Sequence, residues 1–252
     1  EALESKIESL AALVEDLLTR EKQAKEHARA LDPFYAAFED RFRGTRKVVR
    51  ARSEPYVQLM REAGVGSSEA PIIDVGCGRG EWLELLRDQG LVGRGIDSNQ
   101  VFIDMCRKIG LDVIEGDAVE TLKAMAESSA GAVTSIHLIE HLPFEQVVAL
   151  VDEARRILRP GGLILLETPN PENLSVGHHF FYMDPTHRNP LPPETLRFIV
   201  EARGFEGTRI ERLTAARELT APPLISEDLP GAASINVVLA SLNAPADYAV
   251  IA

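Results

Sequence analysis

The spacing of apolar residues changes several times along the chain. Residues 1–30 contain no Gly or Pro. Within them Leu3, Ile7, Leu10, Val14 and Leu17 recur at alternating steps of four and three, which predicts an amphipathic helix. The seam fades at Glu21 and Ala24. Two readings stay open for it: a helix packed on its own domain, or a short coiled-coil arm that makes a homodimer. Asp32-Pro33 predicts the end of that helix. Residues 34–68 read as helical and close with a linker containing Gly64, Gly66, Ser67 and Ser68. From residue 71 onward short apolar runs alternate with amphipathic stretches. Expected strands are Pro71–Val75, Gly93–Ile96, Val113–Glu115, Ala132–Leu138 and Leu163–Glu167. Expected helices are Glu81–Asp88, Asn99–Ile109, Val119–Ser128 and Phe144–Leu158. A further helix is expected at Pro192–Ala202, with final strands at Thr208–Leu213 and Ile235–Leu242. Strands alternating with helices imply βαβ units. The expected fold class is α/β: a doubly wound, mainly parallel seven-stranded sheet with an N-terminal helical arm. Three regions follow, namely the arm (1–32), a helical cap (33–68) and the sheet domain (69–252).

Composition narrows the classes of function. The formal net charge of −12 speaks against a broadly basic nucleic-acid surface. A local basic run exists, at Arg41, Arg43, Arg46, Lys47, Arg50 and Arg52. Such a run is usually a solvated face. No apolar run approaches the ~18–20 residues that span a bilayer. The first residues lack the basic start and apolar stretch of a secretory signal. Cys77 and Cys106 are the two cysteines, too few for a disulfide framework. The expectation is a cytoplasmic protein.

Asp74-Val75-Gly76-Cys77-Gly78-Arg79-Gly80-Glu81 joins the first expected strand to the first helix of the sheet domain. Its glycines allow a tight turn and close approach of backbone to a ligand. Asp97, at the end of the second strand, is placed to accept hydrogen bonds from ribose hydroxyls, with Ser98 beside it. Asp117-Ala118, after the third strand, can put an acid and an amide beside an adenine. A dinucleotide would need the loop to cradle a pyrophosphate, which Asp74 repels. A cationic ligand such as S-adenosylmethionine suits that carboxylate better.

Residues 71–170 resemble the class I S-adenosylmethionine-dependent methyltransferases. The matching stretches are IIDVGCGRGEWL, GRGIDSNQ, EGDA, SIHLIEHLP and ILRPGGLILLETPN. The resemblance implies that the glycine loop (Asp74, Gly76, Cys77, Gly78, Gly80) lies along the cofactor. It also implies that Asp97 binds ribose, that Asp117 and Ala118 meet adenine, and that the sheet ends in an antiparallel hairpin.

Five of the six histidines (His137, His141, His178, His179, His187) lie between the fourth strand and a polar insertion at 170–191. Glu140 and His141 are neighbours in sequence, so they share a site only if the chain turns there. This segment resembles metal-dependent O-methyltransferases, those acting on small-RNA 2′-hydroxyls and those of the ubiquinone pathway. They carry Glu-x-x-Glu-His here and a further His downstream. The resemblance makes Glu140, His141 and His187 metal ligands, with Mg²⁺ the expected ion. His137 stands where the pattern has its first Glu, a departure that frees it to be a general base. Three further stretches, Tyr35–Gly44, Thr168–Asn173 and Tyr182–His187, are similar to bacterial methyltransferases that work on saccharide chains. In that comparison Arg43 is placed to grip the cofactor carboxylate. The expected activity is O-methylation of a sugar, oligosaccharide or polysaccharide end, with His137, Glu140 and His141 as catalytic residues. An RNA 2′-O-methyltransferase, a phenol or quinone O-methyltransferase and a non-catalytic scaffold are the alternatives.

Overall fold

The computed structural model describes residues 2–213 and 222–252, with only part of the side chains of its first helix. That helix, α1 (Ala2–Ala30), is followed after one residue by α2 (Asp32–Phe42). Pro33 lies in the first turn of α2, where its missing N–H costs nothing and its fixed φ suits a helix. Asp32-Pro33 therefore restarts a helix and does not lead into a loop. The apolar seam of α1 is open to solvent: Ile7 is 58% exposed, Leu10 62%, Val14 53% and Leu17 55%. The Leu3 side chain lies outside the described residues.

Gly44, at φ +103, breaks the chain before α3 (Arg46–Glu62). This helix packs on α4 (Glu81–Asp88) through charge as well as through apolar contact. Arg46 lies 2.9 Å from Glu84, and Arg50 pairs with Asp88. The basic run expected to be a solvated face is thus partly an ion-paired seam. Arg41 and Lys47 remain exposed.

Seven strands form one sheet, in the order β3-β2-β1-β4-β5-β7-β6. β1 (Ile72–Val75), β2 (Gly93–Asp97), β3 (Val113–Glu115), β4 (Ala130–Ile136) and β5 (Leu158–Pro169) are parallel. β7 (Asp247–Ile251) runs antiparallel to β5 and to β6 (Arg209–Leu213). The expected α/β class is present. One face of the sheet is covered by α4 and α5 (Gln100–Lys108), the other by α6 (Ala118–Lys123), α7 (Phe144–Ile157) and α9 (Pro193–Ala202). Adjacent strand residues therefore divide between two cores: Ile72 joins Trp82, Leu86 and Ile103, while Ile73 joins Val147, Leu150 and Leu196. Burial on both faces explains the near-continuous apolar run Leu163–Leu166.

One expected strand is corrected. Ile235–Leu242 lies inside a helix, and Asp247–Ile251 takes the slot between β5 and β6. That slot is closed on both faces, and Tyr248, Ala249, Val250 and Ile251 are all 0% exposed in it. Val237 in the helix is 69% exposed. Apolar β-branched character does not by itself separate a short strand from a helix, and the competition for the closed slot decided the matter. Part of the long loop expected at Ala215–Ala233 lies outside the described residues. The insertion at 170–191 forms α8 (Leu174–His178) and a single 3-10 turn at Phe180–Met183. The helix that replaces the expected strand, α10 (Ala232–Asn243), packs against α8.

Gly95 is where β2 meets the glycine loop. A Cβ there would fall 2.6 Å from Cys77 Sγ and 2.6 Å from Leu83 Cδ1. Both neighbours are buried in the same core, so neither can yield cheaply. Gly95→Ala should destabilise the fold by about 1–3 kcal/mol in urea unfolding, although Ala is otherwise the better residue in a strand. An unchanged unfolding midpoint would show that the loop is not seated on β2 as described.

Candidate active site

Strand order reverses between β1 and β4, and their carboxyl ends open the crevice where such sheets bind ligands. The glycine loop leaves β1 here. Gly76, Gly78 and Gly80 all have positive φ, at 75°, 51° and 81°. A side chain on Gly76 would strike Leu138, and one on Gly80 would strike Leu111 and Cys106. The loop therefore needs glycine for conformation and for space.

Two carboxylates brace it. Asp97 accepts hydrogen bonds from the amides of Gly78 and Asn99, both at 2.8 Å. Asp74 accepts one from Thr134 Oγ1 at 2.8 Å, and Trp82 Nε1 donates to that hydroxyl at 3.2 Å. Burial pushes Asp74 up to about 7 against the opposing Thr134 bond. Burial likewise pushes Asp97 up to about 6 against the two amide bonds. Cys77 is buried below the loop and Ser98 is exposed beside it. Asp117 spends one oxygen capping α6, accepting from Val119 N and Glu120 N at 3.0 Å each. Asp117 and the start of α6 at Ala118 follow directly on the end of β3.

α2 roofs the crevice. Its Asp32 carboxylate accepts from Gln100 N at 2.9 Å, and Tyr35 packs edge-on against Phe102. At the other end Arg43 donates to the Ile136 carbonyl at 3.1 Å and lies over Gly78. Arg43 was expected at the cofactor, and it is beside the glycine loop.

The acceptor half is a cavity of about 430 Å³ under the same helix. Phe38, Phe42 and Phe180 line its walls, and His137, Glu140 and His187 lie at its base. The chain does turn where the sequence required it: a 3-10 turn at Ile139–His141 follows β4 and puts Glu140 and His141 on one site. The insertion folds back onto it, because Arg188 N and Asn189 N donate to the Glu140 carbonyl at 2.8 and 3.3 Å. One ligand-capable atom each from Glu140, His141 and His187 then lie within 4.8 Å of one another. His178 and His179 are exposed and take no part.

The surroundings fix the state of each group. His187 Nδ1 is 2.6 Å from the Phe181 carbonyl, which makes it the protonated nitrogen and leaves Nε2 free. Burial lowers the His187 pKa, favouring the neutral ring. His141 Nδ1 is 2.8 Å from Thr186 Oγ1, and its Nε2 is 3.4 Å from the Tyr35 hydroxyl. That hydroxyl also donates to Asp184 at 3.2 Å. Burial and Asp184 raise the Tyr35 pKa, so the phenol keeps its proton. Glu140 is 0% exposed. Burial works to raise its pKa, but the His137 hydrogen bond and charge outweigh it and hold it at about 2.

His137 sits in a setting that its sequence neighbours do not show. Its φ is +58°, a strained value for a non-glycine residue. Nδ1 lies 3.2 Å from Glu140, while Nε2 lies 3.2 Å from Glu167 and 3.8 Å from Asp247. Burial opposes its charge, yet these carboxylates raise its pKa to about 9. Both nitrogens face carboxylates, which favours the protonated ring. It serves as the counter-ion of a buried acidic cluster.

Sequence reasoning assigned no role to Tyr35, Glu39, Asp184 or Glu167. A usable signal existed for the first two. Tyr35, Glu39 and Arg43 are spaced four apart, and so are Phe38 and Phe42, which defines one face of α2. Nothing local marks Glu167, which acts through Tyr56 and His137 from other elements.

Comparison with known proteins fits this geometry. The sequence family described as "Methyltransferase domain" matches residues 10–210. A crystal structure of an S-adenosylmethionine-dependent methyltransferase from Archaeoglobus fulgidus is 34% identical, with a TM-score of 0.72, covering 86% of this chain and 98% of that one. A ubiquinone biosynthesis O-methyltransferase of Xylella fastidiosa is 34% identical over 111 residues, 42% of this chain and 44% of that protein. A tRNA (carboxymethyluridine(34)-5-O)-methyltransferase of Mus musculus is 29% identical over 116 residues, 46% of this chain and 17% of that protein. The match spans less than half the length of these two curated relatives. The chain belongs to the S-adenosylmethionine-dependent methyltransferases.

A pH dependence follows for the cofactor. A cationic sulfonium favours the ionised forms of Asp74 and Asp97, whose values in the free protein are about 7 and about 6. Binding must then lower both values and release protons between them. Going from about pH 8 to about pH 5.5 should weaken S-adenosylmethionine binding by about tenfold or more. Near about pH 6.5 the calorimetric heat should vary with the ionisation heat of the buffer. An affinity flat across that range would contradict the placement of the cofactor over these carboxyls.

Proposed function

We propose that this chain transfers the methyl group of S-adenosylmethionine to a hydroxyl of a sugar, oligosaccharide or polysaccharide end, assisted by a divalent ion at Glu140, His141 and His187. The observation that carries this reading is the convergence of those three side chains at the floor of a cavity that adjoins the glycine loop. The residues present fit both groups. Glycines at positive φ leave a cradle free of side chains for the cofactor, with Arg43 beside it for the carboxylate. An ionised carboxylate and a neutral His187, its Nδ1 anchored by a carbonyl and its Nε2 free, suit Mg²⁺ or Mn²⁺ and equally Zn²⁺.

When bound, S-adenosylmethionine supplies an electrophilic methyl group on a cationic sulfur. The ion supplies Lewis acidity, which an alcohol needs because its own pKa is high. The protein's share is orientation and exclusion of water. Phe38, Phe42 and Phe180 offer flat faces to a ring, and the Tyr35 hydroxyl and Asp184 offer polar contacts at its edge. His137 keeps Glu140, Glu167 and Asp247 from repelling one another. A second reading, methylation of a phenol, draws on the same aromatic walls and on the O-methyltransferases among the relatives.

Labelled S-adenosylmethionine offered with saccharides, phenols and RNA separates these acceptors. Chelator should abolish transfer and leave cofactor binding intact by calorimetry. His187→Ala should lower kcat/KM by about a hundredfold and resist rescue by ordinary Mg²⁺ concentrations. Full activity in chelator would remove the ion and leave His141 as the proton acceptor.

The same reading includes a homodimer. Ile7 and Val14 alternate with Leu10 and Leu17 along the exposed seam, the β-branched and Leu alternation that favours two strands. Removing residues 1–30 should halve the particle mass in light scattering. An unchanged number of subunits would make α1 a helix with some other role.

A further inference from the structure

S-Adenosylmethionine ends in an α-amino acid, an ammonium and a carboxylate on one carbon. A site for it needs an acid and a base side by side. Glu39 on α2 and Arg43 just past its end stand one helical turn apart and both face the glycine loop. A Cβ built on Gly78 would lie 3.7 Å from Glu39 Oε2 and 3.9 Å from Arg43 Nη1. The two oxygens of Glu39 differ. Oε1 accepts from Arg43 Nη1 at 3.3 Å. Oε2 is buried and accepts no hydrogen bond. Arg79 Nε lies 3.9 Å from it, and that nitrogen is closer, at 2.8 Å, to Glu81. A buried carboxylate oxygen without a donor is costly, and native structures rarely leave one so. Arg43 also reaches the Ile136 carbonyl at the end of β4, so the pair overlooks the gap between the ends of β1 and β4.

We propose that Glu39 is a cofactor-binding residue whose Oε2 receives the α-ammonium group, next to Arg43 on the α-carboxylate. α2 then reads the amino-acid end of the cofactor, while Asp97 and the β3 end read the nucleoside. The inference rests on the assignment of Arg43 to the carboxylate. It also gives the site a selectivity: ligands that carry the amino acid, S-adenosylmethionine and S-adenosylhomocysteine, bind through α2, and the bare nucleoside 5′-methylthioadenosine does not.

The test is calorimetry on the full chain with three probes: S-adenosylmethionine, decarboxylated S-adenosylmethionine and 5′-methylthioadenosine. Glu39→Gln removes the charge and keeps the shape. It should weaken the first two probes by about tenfold or more, the scale of a lost hydrogen bond between charged groups, and leave the third within about twofold. Arg43→Gln should weaken S-adenosylmethionine alone. Equal loss on all three probes for Glu39→Gln would make Glu39 a structural partner of Arg43 and Arg79, and unchanged binding of the first two would overturn the proposal outright. If Arg43→Gln leaves S-adenosylmethionine untouched, the carboxylate assignment fails. The decarboxylated probe still decides Glu39 in that case. Glu39→Ala, compared by thermal unfolding, guards against a fold defect in either variant.

Discussion

The buried guanidinium of Arg79 makes one object of the helical roof and the glycine loop. It is 2% exposed, and a charge so deep is tolerated only when paired. Its Nη1 donates to Asp40 at 2.6 Å and its Nη2 to the Gly44 carbonyl at 3.1 Å, both on the roof side. Its Nε lies 2.8 Å from Glu81, the first residue of α4. Its carbonyl accepts from Arg46 at 2.6 Å, which brings in α3. Removing one partner from such a set typically costs about 3–5 kcal/mol, because the charge left behind is unpaired and dry. The roof is therefore tied to the glycine loop and to α4 by charge. The family match, residues 10–210, includes α2 and α3.

The acceptor half depends on a different tie, the backbone of Glu140. Its carbonyl receives the insertion through Arg188 and Asn189, while its carboxylate faces His137 and accepts from Thr168 at 3.0 Å. One residue thus sets where His187 arrives and what charge it meets there. Glu140, Glu167 and Asp247 share one cluster around His137, with Tyr56 donating to Glu167 from α3. A site wired in this way holds its polar groups before any ligand binds, which is the condition for electrostatic preorganisation.

The parallel half of the fold was legible in the sequence because each βαβ unit writes its own local pattern, and α4 was placed to the residue. The glycine loop and Asp97 were legible for a similar reason: they act through backbone and lie within one supersecondary unit. Glu140, His141 and His187 were legible through resemblance, and their meeting hung on a turn and a returning insertion that the structure supplies. The chemical state of His137 was not legible. It is set by Glu167 and Asp247, which arrive from β5 and β7. The last strand was misplaced because α10 and β7 are both apolar, and the two closed faces of one slot decided between them.

The central claim is that two ligand sites share the α2 roof, a cofactor over the glycine loop and an ion at Glu140, His141 and His187. The most direct measurement is a crystal structure grown with Mn²⁺ and S-adenosylhomocysteine, with anomalous scattering recorded for the metal. The account predicts one anomalous peak within about 2.0–2.3 Å of Glu140 Oε1 and the outer nitrogens of His141 and His187, with homocysteine under α2. The absence of a metal peak at that floor, with the cofactor bound over the glycine loop, would contradict it.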